Sequence, residues 1–456
     1  MKLVQANIAA MTLFGLLVSP AFASQEQEAA GQSPDVQSKL ERLEERIRKL
    51  EAELTRLKGV EREGERAAPE RESDSVRPVA GAAQTSQGDQ PPMAEVLPSE
   101  EGNVIGYDSP EMRMPYSGYM EFHFNKPQGE PGIADFQRFV LLFGHQFSDR
   151  IQFWSELELE SAFIEGGEVS GELELEQAYL DFALKPWLNV RGGVVLAPMG
   201  LINERHEPPT FNGVERPFVD TFIIPTTWFD PGLGIHGDLG HGFVYKAYVM
   251  APLNASFISA EEGLGEAPQH AFQSVSENPG FTGRLEYHGL PGLSLGTSFW
   301  SSQSGFETPG INPRVDIIEL DGRFNFWRID ARGQYAHVHI TDTARLNSLL
   351  QRTSGVNPNI AEEMRGFYLE GAAHVLPSSW HHDLVLFHRY ENFDTQFEMA
   401  PGFLPLGEFD RDAFVTGFTY FPDPDVSLKF DYTVLRNQSN FIKARNIFNF
   451  GIGWWF

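Results

Sequence analysis

The chain has 456 residues, with 63 acidic and 35 basic side chains, and its formal net charge of -28 argues against nucleic acid as a partner. It contains no cysteine, so its fold uses no disulfides. Aromatic residues are abundant, at 37 Phe, 12 Tyr and 8 Trp, and Phe-rich segments without long apolar runs are typical of membrane β-barrels.

Residues 1–23 predict a cleaved signal peptide. Lys2 supplies a positive start, and the apolar stretch at 8–18 is too short to span a bilayer. The tripeptide at 21–23 matches the small-x-small cleavage pattern, so we expect Ser24 to begin the mature chain. No later run reaches the roughly 18 apolar residues of a transmembrane helix, so none is expected.

A helical pattern follows in residues 24–60. Its apolar positions alternate between spacings of four and three: Val36, Leu40, Leu43, Ile47, Leu50, Leu54 and Leu57. This 3.5-residue repeat predicts a short α-helical coiled coil, which we place in the periplasm. A single amphipathic helix is the alternative. Residues 61–115 are rich in Glu, Gly, Pro and Ser, and this composition predicts a flexible linker.

Residues 116–456 predict an all-β fold, a transmembrane antiparallel β-barrel of about sixteen strands. The expected strands are 116–126, 134–147, 150–163, 172–184, 188–198, 233–239, 243–251, 280–288, 293–302, 314–325, 327–340, 365–376, 382–393, 412–421, 426–435 and 446–456. Tight turns alternate with long connections, as in bacterial outer-membrane barrels. A barrel of sixteen strands leaves an aqueous channel, whereas eight strands fill their own interior.

The last predicted strand has one fully apolar face. Phe448, Phe450, Ile452, Trp454 and Phe456 fall at every second position. Because side chains alternate across a strand, these five share a face, and we expect that face to contact lipid.

Alternation in the other strands predicts which charges line the pore. We select as pore-lining candidates Arg138, Arg191, Lys246, Arg284 and Arg323. Each falls on the face opposite to the apolar residues of its strand, and a charge on the lipid face costs about 2–4 kcal/mol near the midplane. An alternative is that inward cations and carboxylates only neutralise one another in a wet interior.

The connection at 199–231 is the predicted constriction. Its candidate residues are Arg205, His206, Glu207, Arg216 and Asp220. A connection of this length is functional or disordered, and the apolar run at 222–224 argues against disorder. We expect it to fold into the pore, where its charges would set ion selectivity. The alternative is a loop that latches onto a neighbouring subunit.

No enzymatic or cofactor-binding motif stands out, so we predict neither catalysis nor a cofactor. His337 and His339 share a strand face, and a pair so spaced could hold a metal. Histidine near a membrane interface is far commoner, and no metal site is predicted.

The barrel resembles the phosphate-selective porin family and related outer-membrane porins with a periplasmic coiled coil. The resemblance is best at 174–211, where a strand, a Pro-containing turn, a second strand and a Pro-Met-Gly exit lead into the long connection. It implies a homotrimer with passive solute flow and anion-relaying arginines. The aromatic last strand resembles the signal read by the barrel-assembly machinery. Only five lysines occur from residue 116 onward, so the family's lysine-rich funnel is not carried over.

The predicted function is an outer-membrane porin for small hydrophilic solutes, anionic ones among them. Its lumen would be narrowed by the 199–231 connection, its outer surface would contact lipid and lipopolysaccharide, and its N-terminal region would lie in the periplasm. The alternative is a structural barrel that anchors a periplasmic coiled coil to the cell wall or other envelope partners.

Overall fold

The computed structural model describes residues 117–161, 164–165, 168–169, 172–355, 357–442 and 444–456. The expected signal peptide, coiled coil and linker lie outside the described residues. Within the described part of the chain, no helix is long and apolar enough to cross a bilayer.

Sixteen antiparallel strands close into one barrel, and two short strands form a separate hairpin. In chain order the strands are β1 (Ser117–Pro127), β2 (Ile133–Ser148), β3 (Ile151–Glu160), β4 (Ile164–Glu165), β5 (Glu168–Val169), β6 (Glu172–Lys185), β7 (Leu188–Leu196), β8 (Phe229–Gly240), β9 (Phe243–Met250), β10 (Gly280–Leu290), β11 (Leu293–Gln303), β12 (Arg314–Phe326), β13 (Ile329–Ile340), β14 (Glu363–His374), β15 (Asp383–Glu398), β16 (Asp410–Asp423), β17 (Val426–Asn437) and β18 (Arg445–Trp455). The hairpin is β4–β5, and the predicted sixteen-stranded barrel is confirmed.

Each barrel strand pairs with its sequence neighbours, except that β3 pairs with β6 across the hairpin. Closure comes from the pairing of β1 with β18, where Tyr119 lies opposite Trp455 and Phe124 opposite Phe450. The closed ladder leaves no strand edge, as a barrel in hydrocarbon requires.

The two ends of the barrel differ. Two-residue turns at 149–150, 186–187 and 241–242 lie at the end that carries the first and last strand termini. Long connections, including 197–228 and 251–279, lie at the other end. The connection between β13 and β14 also lies there and carries the helix α1 (Thr343–Ser354).

Three strands are longer than expected by at least four residues. β8 begins at Phe229, β15 ends at Glu398 and β16 spans Asp410–Asp423, whereas the sequence predicted 233–239, 382–393 and 412–421. Gly and Pro at the start of β8 hide its alternation. The last residues of β15 are in strand conformation because they pair with the start of β14, where Glu398 lies opposite Glu363.

Side chains alternate between the two faces as a strand requires. In β12, Ile318 and Leu320 point outward with 59% and 54% of their surface exposed, whereas Glu319 between them points inward and is fully buried. Outward aromatic rings also meet across strands: Phe430 lies 5.2 Å from Phe418 and 4.7 Å from Phe448 between ring centroids. Such cross-strand aromatic pairs stabilise the sheet on its apolar face.

Leu320→Arg is expected to lower the free energy of unfolding in phospholipid vesicles by about 2–4 kcal/mol, because a cation near the midplane must leave water. Leu320 lies near the middle of β12 on the outward face. The measurement is denaturant unfolding of the vesicle-inserted protein.

The matched control is Phe441→Arg. Phe441 lies in the connection after β17 and is 94% exposed, so its replacement should change stability by no more than about 0.5 kcal/mol. Equal effects of the two substitutions would contradict a hydrocarbon environment around β12.

Candidate pore constriction

The connection between β7 and β8 lies inside the barrel. This constriction segment, residues 197–228, contains two short helices, Pro208–Thr210 and Val219–Ile223. The first contacts β17 and β18, and the second contacts β13, β14 and β15. The segment therefore crosses the lumen and narrows it.

Apolar packing holds the segment against one side of the inner wall. Phe218 and Phe222 stack on Phe393 of β15, with ring centroids 5.3 and 5.4 Å apart. At the end of the segment, Trp228 meets Trp300 of β11 edge to face at 4.5 Å. This part of the lumen wall is apolar because its side chains pack with those of the segment into one hydrophobic core.

Polar side chains of the wall hold the segment's backbone. Gln334 of β13 accepts a hydrogen bond from the backbone N–H of Leu201 at 2.7 Å. The N–H of Val219 donates to Glu391 at 3.2 Å, and that of Val214 donates to Asp431 at 2.8 Å. Buried backbone groups need partners, so these wall residues act as clamps.

Asn203 closes the neck of the segment, the place where its two ends, Ala197 and Trp228, come together. Its side-chain amide donates to the carbonyl oxygens of Ala197 and Trp228 at 2.8 and 3.0 Å, and its Oδ1 accepts from the N–H of Trp228 at 2.7 Å. Asn203 is fully buried. One side chain thus ties the two ends of the segment together.

The pore-lining candidates of β2 and β7 lie on the inner face and are paired with acids. Arg138 Nε lies 3.2 Å from Glu121, and its Nη1 lies 3.5 Å from Glu158. Arg191 Nη2 lies 2.7 Å from Asp181. Each cation is therefore opposed at short range by a carboxylate.

The remaining three candidates also lie inside and contact nearby groups. Lys246 Nζ lies 2.8 Å from Glu204 of the constriction segment. Arg284 lies 2.7 Å from Asp321, and Arg323 donates to a backbone carbonyl of the segment at 3.0 Å. The sequence located these cations but not their partners, which depend on strand register.

The constriction-loop candidates Arg205, His206, Glu207, Arg216 and Asp220 all lie on the segment inside the barrel. Arg205 lies 3.9 Å from Glu286 of β10. Arg216 donates to Thr227 Oγ1 at 3.1 Å, and Glu207 is a half-buried residue before the first short helix. The five do not form one ring, because they lie at different points along the crossing.

Asp220 and His206 are the two most buried members of this set. Asp220 accepts a hydrogen bond from Gln334 at 2.7 Å, and burial raises the pKa of Asp220 to about 7. His206 faces Glu156 and Glu176. Burial alone would lower the pKa of His206, but Glu176 and Glu156 raise it well above its usual value.

A gap of about 180 Å³ remains between the segment and the wall formed by β1 and β15–β18. Its charged lining consists of Glu215 and Arg216 from the segment and Arg389, Asp431 and Arg445 from the wall. Three cations thus face two carboxylates. This gap is the candidate path for a solute past the constriction.

Several residues that build the site gave no usable signal in the sequence. Asn203, Gln334 and Arg389 act through contacts with residues far along the chain. The glutamates of β3 and β6 were visible as a charge-rich run. Their convergence on His206, however, depends on the path of the constriction segment.

His337 and His339 lie on the outward face of β13. Their ring nitrogens approach the same side chain, Glu363, at 3.3 and 3.8 Å. All three side chains are partly exposed.

No protein-family model matches the chain. A protein of Aquifex aeolicus (strain VF5), described as uncharacterized, is 35% identical over 348 residues, which cover 74% of this chain and 79% of that protein. Among solved structures, Salmonella typhi OmpF in complex with daunomycin matches 75% of this chain and 97% of its own, with a TM-score of 0.50 and 12% identity. The anion-selective porin from Comamonas acidovorans matches 75% of this chain and 98% of its own, with a TM-score of 0.48 and 11% identity.

The solved structures that resemble the chain are outer-membrane porins, and at such low identity the likeness to OmpF shows the barrel fold alone. They do not identify the phosphate-selective family, so that finer resemblance stays a prediction.

Asn203→Ala is expected to lower the free energy of unfolding by about 2–3 kcal/mol, because it leaves buried backbone groups at both ends of the segment without partners. The loosened neck should also broaden the distribution of single-channel conductance. Both quantities are measurable, by denaturant titration and by planar-bilayer recording.

The control is Asn446→Ala, which removes a hydrogen bond to Gln128 at the exposed rim. It should leave stability and conductance nearly unchanged. If Asn203→Ala behaves like this control, the neck is not held by Asn203.

Proposed function

We propose that this chain, which belongs to the same family as the uncharacterized protein of Aquifex aeolicus, is a passive channel for small hydrophilic solutes. The observation that carries the proposal is the constriction segment, a charged crossing clamped inside a closed sixteen-stranded barrel beside a polar gap. A barrel of this size has room for an aqueous path, and charges at its narrowest point select among ions.

The charges at the gap favour anions. Most cations of the inner wall are opposed by carboxylates at short range, including Arg138, Arg191 and Arg284. Arg216 differs, because no acidic group lies within ion-pair distance of it among the described residues, and its Nη2 is buried without a hydrogen-bond partner. The local field at the gap should therefore be set by Arg216, in keeping with the resemblance to anion-transporting porins.

We further place the protein in the bacterial outer membrane, as a homotrimer surrounded by lipid and lipopolysaccharide, with the N-terminal region in the periplasm. The outward apolar face supports the membrane placement, since side chains such as Leu369 and Phe299 are 63% and 51% exposed. Trimerisation rests on the resemblance to porins. Insertion through the barrel-assembly machinery rests on the aromatic last strand.

Arg216→Ala is expected to reduce the anion-to-cation permeability ratio by roughly two- to fivefold, because it removes the gap's unopposed positive charge. The measurement is the reversal potential across a planar bilayer in a salt gradient. The reversal potential should shift in the direction of cation preference while conductance stays equal or rises.

The matched control is Arg352→Ala, which removes a cation from the exposed last turn of α1. It should leave the reversal potential unchanged. Unaltered ion preference in Arg216→Ala would remove the gap from the account of selectivity.

The same recordings test the structural alternative. A barrel that conducts no ions, together with peptidoglycan capture through residues 24–60, would favour an envelope tether over a channel.

A further inference from the structure

Three potential metal-ligating side chains converge where the constriction segment meets β3 and β6. Glu156 of β3, Glu176 of β6 and His206 of the constriction segment are 2%, 1% and 2% exposed. His206 Nε2 lies 3.3 Å from Glu176 Oε2 and 3.7 Å from Glu156 Oε1. One ligand atom from each of the three lies within 4.8 Å of the other two.

Two of the converging atoms make no contact other than with the cluster itself. His206 Nε2 and Glu176 Oε2 are buried, and neither forms a hydrogen bond of good geometry outside it. The other ring nitrogen, Nδ1, lies 3.0 Å from the carbonyl oxygen of Asn203. A carbonyl only accepts, so Nδ1 carries a proton and donates it. In the neutral ring, the lone pair of Nε2 then points at two carboxylates.

The distances fit a shared cation. Ligand atoms bound tetrahedrally at about 2.0–2.1 Å lie about 3.3–3.4 Å from one another. The distance from His206 to Glu176 matches that edge, and the distance from His206 to Glu156 exceeds it by about 0.4 Å. The two carboxylates lie within 4.8 Å of each other and would close in on a bound cation. Three protein ligands leave a fourth position open for water or a solute group.

Outer contacts orient one of the carboxylates. The hydroxyl of Tyr119 donates to Glu156 Oε1 at 3.2 Å, and the amide of Gln177 donates to Glu156 Oε2. The carbonyl of Asn203 does the same for His206. Partners of this kind, which fix a carboxylate and the tautomer of a histidine, typically surround metal sites.

We propose that Glu156, Glu176 and His206 bind one divalent first-row transition cation, with Zn²⁺ the best match to one imidazole and two carboxylates. The imidazole nitrogen disfavours Ca²⁺ and Mg²⁺, which prefer oxygen ligands alone. The bound cation would cross-link the constriction segment to the wall at β3 and β6. It would thereby supply an anchor at strands that do not line the gap.

A proton on Nε2 is the competing occupant, since it would also bridge His206 to the two acids. The proton-bridged and metal-bound states differ in whether the protein retains a metal ion. The full mature chain, purified in detergent and stripped with EDTA, is titrated with Zn²⁺ at pH 7.5 by calorimetry, and bound metal is counted after gel filtration. We expect one Zn²⁺ per chain and a rise in unfolding temperature with Zn²⁺ concentration.

Glu176→Gln and His206→Gln should each weaken Zn²⁺ binding at least roughly 100-fold, because each removes a direct ligand. The matched control is Glu363→Gln, which alters the histidine–glutamate group on the outer face of β13 and should retain binding. Folding of each variant is checked by its heat-dependent migration in gels.

X-ray absorption of the wild-type protein keeps the test independent of variant folding. It should show nitrogen and oxygen ligands at about 2.0 Å and no sulfur. Failure of the wild-type protein to bind Zn²⁺ at about 100 μM, a level at which a three-ligand site should be filled, would overturn the proposal. Unchanged binding in both ligand variants would also overturn it. Neither result would bear on conductance, so the channel proposal is tested separately.

Discussion

The closed ladder of backbone hydrogen bonds is the constraint on which the rest of the molecule depends. Hydrocarbon offers no partner to an N–H or C=O group, so a spanning sheet must pair every strand, and here β18 returns to β1. Closure divides side chains between two environments. Outward positions such as Ile318 become apolar, and inward positions such as Glu319 become free to carry charge. It also creates an enclosed space in which irregular backbone is tolerated, because wall side chains satisfy it.

The inner wall uses that freedom chiefly to hold the constriction segment. On one side, Phe393 and Trp300 form an apolar core with it. Elsewhere, Gln334, Glu391 and Asp431 bind its backbone. Many inward charges are therefore engaged in holding the segment or in pairing with one another. If the chain is a channel as proposed, its ion preference depends on the few groups that face the gap without an opposite charge nearby.

The constriction segment is held at several separate places, which makes it a fixed aperture in this structure. Asn203 joins its ends, Gln334 holds its middle near Asp220, and the short helices rest on neighbouring parts of the wall, at β17–β18 and at β13–β15. The proposed cation between His206 and the glutamates of β3 and β6 would add a further anchor. Buried charges and polar groups are costly without partners. The segment can stay inside the barrel because most of its polar groups have hydrogen-bond or ion-pair partners.

The sequence by itself determined the barrel, its strand number and the inward direction of residues such as Arg284 and Arg323, because alternation along a strand is a local property. It also marked the region of the constriction by its length and mixed composition. Only the tertiary structure decided the partners: Asp321 beside Arg284, Asn203 across the neck, and Glu156 and Glu176 around His206. Those contacts depend on strand register and on the path of a long connection. Both are fixed by interactions between residues far apart in the chain, and no local pattern records them.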